Sequence, residues 1–214
     1  MKTGLAAVMI AFFSSAALAD EAPSPRVKTA AFLEAVATKA EACEALRPWQ
    51  SAALRALNLT DMERFSAEER EAVIAETNTR LAGMTCRDEA MTVWVEGARD
   101  GFDREMLPPY LIAYLTFVGY EDPPHVFTAT TTRLRYGPAV EAIREKLAAL
   151  EAVGVVPEGG RPWPEYIELT QSRVREFVAV MSDDETTPEE FNEAAGWMGQ
   201  TAHIVELWLA DQGV

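Results

Sequence analysis

The sequence predicts an all-α protein: a compact single-domain bundle of about eight helices around a central apolar helix, with one disulfide. Three observations lead there. Apolar residues recur at three- and four-residue spacings along most of the chain. Helix-opening signatures, Ser or Thr with an acidic residue three positions on, or a proline at a first-turn position, separate those runs. Only one stretch, 126–135, leans toward strand through Thr130, Thr131 and Thr132. A lone strand would have no partner, so that stretch is expected to be short helix or coil.

From Val27 to Leu46, Phe32, Val36, Ala40 and Cys43 draw one stripe. Pro48 suits the first turn of a short helix carrying Trp49, Ala53 and Leu57 inward. Ser66 and Glu69 form a capping box that opens a helix with Val73, Ile74, Leu81 and Met84 inward. Thr85 and Asp88 repeat the signature. The helix they open carries Met91, Trp94, Val95, Ala98, Phe102 and Met106, and Cys86 would lie in its first turn. Pro108-Pro109 is expected to break the chain and start a new helix, Tyr110 to Val118, closed by Gly119. That helix is apolar all round, so the others should surround it.

Pro138 opens a further helix with Val140, Ile143, Leu147 and Leu150 on one face and Gly154 as its stop signal. Residues 158–162, with Gly159 and Gly160, read as a flexible connector. The next helix turns Ile167, Thr170, Val174, Phe177 and Met181 inward. Thr187-Pro188-Glu189-Glu190 starts a last helix with Phe191, Ala195, Met198, Ala202, Val205 and Trp208 inward. Two helices after the connector are too few to bury their own stripes, so they should pack back onto the rest.

The N-terminus reads as an export signal. Lys2 supplies a positive charge, Gly4 to Phe13 an apolar run, and Ala17 and Ala19 the small residues a signal peptidase recognises. Cleavage is expected after Ala19, leaving residues 20–214 as one helical domain, periplasmic or secreted. The apolar run falls short of the roughly 20 residues that span a bilayer, and no other segment is long and apolar enough. The two cysteines, Cys43 and Cys86, should pair in an oxidising compartment. On the chain-entropy account such a bridge contributes about 4 kcal/mol.

The chain carries 34 acidic against 19 basic residues, a formal net charge of −15. That balance disfavours nucleic acid and anionic membrane surfaces as partners. The sequence contains no Gly-x-Ser-x-Gly, no glycine-rich phosphate loop, no His-Glu-x-x-His and no Cys-x-x-Cys. No cofactor and no metal site is therefore expected.

A few residues merit weighing for function. His125 follows Pro123-Pro124 and could face a cleft with Asp100, Asp103, Tyr110, Tyr114 and Tyr120, a set suited to acid–base work. Trp94 and Phe102 would add aromatic walls to such a pocket. Trp163, between Pro162 and Pro164, is the best candidate for an exposed anchor, with a lid over the bundle's end as the equal alternative. His203 and Glu206 share a helix face but supply only two ligands where three are usual. Gly196 and Gly199 lie near that face and suggest close helix packing there. The run Asp183-Asp184-Glu185 lacks the alternation of a calcium loop.

The leading expectation is a non-catalytic accessory factor of the bacterial envelope that acts by binding another protein. A small-ligand binder with an aromatic pocket is the alternative. The third reading is an enzyme using Asp103 and His125.

Overall fold

A computed structural model describes residues 23–119, 137–156 and 160–214. Every regular element among them is helical. The elements are α1 (Pro25–Ala42), α2 (Pro48–Met62), α3 (Ala67–Gly83), α4 (Glu89–Gly101), α5 (Leu107–Val118), α6 (Pro138–Ala152), α7 (Trp163–Ser182) and α8 (Pro188–Gln212). One π-helical turn, Phe102–Met106, joins α4 to α5, so these eight segments form seven helical rods rather than the eight separate helices expected. The stretch 126–135 lies outside the described residues, as does the proposed signal peptide.

The join between α4 and α5 corrects the expected break at Pro108-Pro109. A proline within a helix removes one hydrogen bond, and its ring collides with the carbonyl four residues back. The π turn widens the backbone there, and the Leu107 N–H donates to Phe102 O, five residues back. The two prolines then occupy the first turn of α5, where their missing N–H groups cost least. Phe102 and Leu107, on either side of the turn, are both fully buried.

Helix starts follow the sequence signatures in most places. Ser66 accepts from the Glu69 N–H at 3.2 Å while the Ser66 N–H donates to Glu69 at 2.9 Å. Thr187 and Glu190 repeat that reciprocal pair at the start of α8. The exception is α4. Its cap is Asp88, which accepts from the Met91 N–H at 2.9 Å, and Thr85 instead closes a turn on the Arg87 N–H. Cys86 therefore sits in the turn before α4 and not in its first turn. Cys43 caps the end of α1, and the two cysteines are bridged with their Cα atoms 5.5 Å apart.

The main core gathers Val36 and Ala40 of α1, Trp49 and Leu54 of α2, Met91 and Val95 of α4, Leu111 and Tyr114 of α5, Ile143 of α6, and Val205 and Trp208 of α8. Helix α5 contributes to a second cluster on another face, where Ala113 and Phe117 meet Val174 and Val178 of α7 and Ala194 and Met198 of α8. Ile112 joins a third cluster with Leu150, Trp163 and Tyr166. The all-apolar helix is thus packed on several sides, and α7 and α8 close against it.

Buried polar groups tie α1 to its neighbours. The Ser51 hydroxyl donates to Ala37 O at 3.1 Å, the Asn58 amide to Ala30 O at 3.1 Å, and the Thr77 hydroxyl to Ala31 O at 3.4 Å. Each helix carbonyl has a second lone pair to accept such a bond. Arg55 of α2 reaches across the same seam to Glu34 at 3.3 Å and Glu41 at 3.1 Å.

Two residues expected inward face out. Leu57 is 48% exposed, because α2 is buried through Trp49, Ala53, Ala56 and Asn58, between α1 and α8. Ile74 is 62% exposed, because α3 packs on α1 through Val73 and Thr77.

Candidate functional site

The residues singled out in the sequence do not converge on one site among those described. Phe102 is fully buried and meets Trp49 and Trp94 edge to face, with ring centroids 6.2 and 6.3 Å apart. Trp94 is half-buried against the same core. Asp103 lies on the surface and pairs with Lys146 at 3.0 Å. Trp163 is buried, which fits the second of its two readings, a lid, and not an exposed anchor: its indole N–H donates to Val155 O at 2.7 Å, and its ring stands edge-on to Tyr166. It serves as a lid over the Ile112–Leu150 cluster. Tyr120 and His125 lie outside the described residues.

Tyr110 and Tyr114 occupy successive turns of α5. Burial pushes the Tyr110 phenol up to about 12, and the positive charge of Arg173 opposes that rise. Tyr114 is buried, and its hydroxyl has no hydrogen-bond partner among the described residues. Burial raises its pKa above the ordinary value, and the charge of Glu206 adds to the effect. Glu206 is itself raised by burial, with the nearby His203 pulling the other way.

No group of three or more His, Cys, Asp or Glu side chains among the described residues is placed to hold a metal ion. Asp183 accepts from the Glu185 N–H at 2.9 Å and so closes a local turn. Close packing does not explain Gly196 and Gly199, since a Cβ at either would meet nothing within 4 Å.

A different set of residues forms a cleft where the end of α2 meets α7 and α8. Helical spacing builds each wall. On α7, Arg173 and Phe177 are four residues apart. On α8, Glu193 and Trp197 stand four apart, and Asn192, Gly196 and Gln200 form the adjoining row. Leu59 and Glu63, again four apart, close the third side from α2 together with Thr60. The cleft, open to solvent on one side, has a volume of about 220 Å³.

The floor is aromatic and the rim is charged. Phe177 and Trp197 lie 4.7 Å apart between ring centroids, tilted by 35°. The Arg173 guanidinium sits 5.7 Å from the Phe177 centroid and 5.6 Å from that of Trp197. At that distance the guanidinium charge is attracted by the quadrupole of each ring. Glu63 and Glu193 line the same cleft, yet neither is within ion-pair distance of Arg173. Gly196 contributes no side chain, so the space over that turn of α8 stays open.

Sequence reasoning placed Phe177 on an inward stripe and passed over Arg173 and Trp197 as a pair. The signal available was the four-residue spacing within each helix. What brings the three faces together is the packing of α2 and α7 on α8, which spacing within one helix does not encode.

No protein-family model matches this chain, and neither a curated protein nor a solved structure is recognisably similar to it.

Proposed function

We propose that the chain is an exported, non-catalytic protein of the bacterial envelope that acts by binding another protein, through the cleft between α2, α7 and α8. The observation that carries this reading is Arg173, whose guanidinium lies over Phe177 and Trp197 and has no ion pair with a carboxylate among the described residues. An aromatic and arginine cluster in a recess is the composition that dominates protein-binding hot spots. Leu59, 45% exposed at the rim, adds apolar surface that a partner would cover.

The cleft's size supports a protein partner over a free metabolite. At about 220 Å³ it is smaller than the roughly 300–1,000 Å³ of pockets that enclose a drug-sized ligand. It suits one anchoring residue of a larger surface. Export is supported by the reading of residues 1–19 and by the Cys43–Cys86 bridge, a bond that persists in oxidising compartments. No helix among the described residues is long and apolar enough to cross a membrane.

Native mass spectrometry of the protein gently isolated from a periplasmic extract tests the reading. The expected species lacks residues 1–19 and two thiol hydrogens and carries a stoichiometric protein companion. A cytoplasmic, full-length chain with free thiols would contradict it.

A further inference from the structure

We infer that Cys86 is the thiol through which the Cys43–Cys86 bridge is closed: in the folded, reduced chain it attacks the disulfide of an oxidant, and Cys43 then displaces that oxidant. The inference does not depend on the reading of the cleft. It starts from the different surroundings of the two cysteines. Cys43 is half-buried and caps α1, with its N–H donating to Lys39 O at 2.9 Å. The Ala45 and Leu46 N–H groups that follow both return to Ala40 O, and Leu46 is buried, so this end of α1 is anchored on both sides. Cys86 is exposed, in the turn between buried Met84 and the α4 cap Asp88. That turn is held by its own bonds, from the Asp88 N–H to Thr85 O at 3.0 Å and from the Arg87 N–H to the Thr85 hydroxyl at 3.3 Å. Exchange with a second disulfide depends on access and on the thiolate fraction, and access favours Cys86.

Charge points the same way. A helix N-terminus or a neighbouring arginine favours the thiolate that attacks. Cys86 stands two residues before the cap of α4 and is followed by Arg87, which has no ion pair among the described residues. Of the carboxylates next in sequence, Asp88 is turned to the Met91 N–H and Glu89 lies within the first turn of α4. Cys43 stands instead at the carbonyl end of α1, where the helix dipole disfavours an anion. Exposed Glu44 follows it; Glu41 is held by Arg55, and Lys39, one turn back, offsets part of the effect.

The steps balance. The Cys86 thiolate forms a bond to one sulfur of the oxidant's disulfide and releases the other as a thiolate. The Cys43 thiolate then attacks the Cys86 sulfur, which closes the bridge and releases the second thiolate. Two cysteine thiols are oxidised, one disulfide is reduced to two thiols, and the two cysteine protons pass to them. The Cα atoms of the bridged pair are 5.5 Å apart, so the fold holds Cys43 within reach for the second step.

The test uses the full mature protein, reduced and freed of reductant, with glutathione disulfide as the oxidant. Samples quenched with acid early in the reaction are mapped by peptide mass spectrometry. The mixed disulfide is expected on Cys86 at least about tenfold over Cys43. Cys43→Ser, which cannot close the bridge, should accumulate the Cys86 adduct, and Cys86→Ser should react at Cys43 at least about tenfold more slowly. In urea sufficient to unfold the chain, the preference should shrink to about threefold or less, because access and the helix ends are lost. The disulfide form of a thioredoxin-like protein should give the same Cys86 adduct. Equal adducts on the two cysteines, an adduct mainly on Cys43 with either oxidant, or a preference as large in urea would overturn the inference. So would a reduced chain without helical circular dichroism, since no fold would then choose between the thiols.

Discussion

Asn58 is nearly fully buried in α2, a position where an apolar residue would be expected, and it is kept there by donating to Ala30 O across the helix seam. Replacing it with alanine removes that bond and leaves a small void. Asn58→Ala should lower stability by about 1–3 kcal/mol, read from the midpoint of urea unfolding. Tyr114 is the opposite case, since its buried hydroxyl has no partner among the described residues. Tyr114→Phe should therefore leave stability unchanged or raise it by about 1 kcal/mol. The tyrosines also set the response to base. Tyr110 has its pKa raised from 10.0 to about 12, so its neutral form is favoured in the folded state. The stability it contributes is complete below pH 10 and is lost as pH rises from 10 toward 12. Tyr110→Phe should flatten that decline in an alkaline unfolding series. Residues of this kind were not legible in the sequence, because a periodic stripe reports which face is inward but not which polar group finds a partner there.

Among the elements, caps and periodicity were the readable part. The boxes Ser66/Glu69 and Thr187/Glu190 start α3 and α8 where they stand in the sequence, because the reciprocal bonds are local. The all-apolar run 110–118 was legible as a central helix for a similar reason: it has no face that water would accept. The join of α4 to α5 was not legible, since a proline pair signals a break and only the surrounding core makes a π turn the better solution. Asp88 caps α4 in place of Thr85, whose hydroxyl accepts from the Arg87 N–H in the turn before the helix. Reduction of that bridge, or Cys43→Ser, should cost about 4 kcal/mol, seen as a lower thermal midpoint under reducing conditions. Glu44, which follows the α1 cap, adopts φ 58°, a left-handed conformation that costs a residue with a side chain roughly 1 kcal/mol. Glu44→Gly should therefore raise the thermal midpoint slightly, and Glu44→Val should lower it.

For the whole molecule, the sequence conveyed an all-helical, disulfide-bonded, acidic chain, while the candidate site depends on tertiary packing. Arg173, Trp197 and Leu59 belong to three helices, and nothing within any one of them marks the others. The sites that were legible, around Asp103 and Trp163, are an ion pair on the surface and a buried lid. An aromatic residue in a sequence is more often needed for a core than for a ligand, and Phe102 and Trp163 both follow that rule. The cleft instead combines an arginine that has no ion pair among the described residues with a turn of α8 that lacks a side chain. At Gly196 a Cβ would meet nothing within 4 Å, and a residue with a side chain gains helix propensity worth up to about 1 kcal/mol relative to glycine. Gly196→Met is therefore expected to place a side chain at the cleft without weakening the fold, with an unchanged or higher thermal midpoint as the check.

The proposed binding surface is the cleft between α2, α7 and α8. The most direct measurement is native mass spectrometry of the wild type and Gly196→Met, isolated side by side from the same periplasmic extract. A stoichiometric protein companion is expected on the wild type and none on the variant, with thermal midpoints equal or higher for the variant. A companion that remains on Gly196→Met would contradict it.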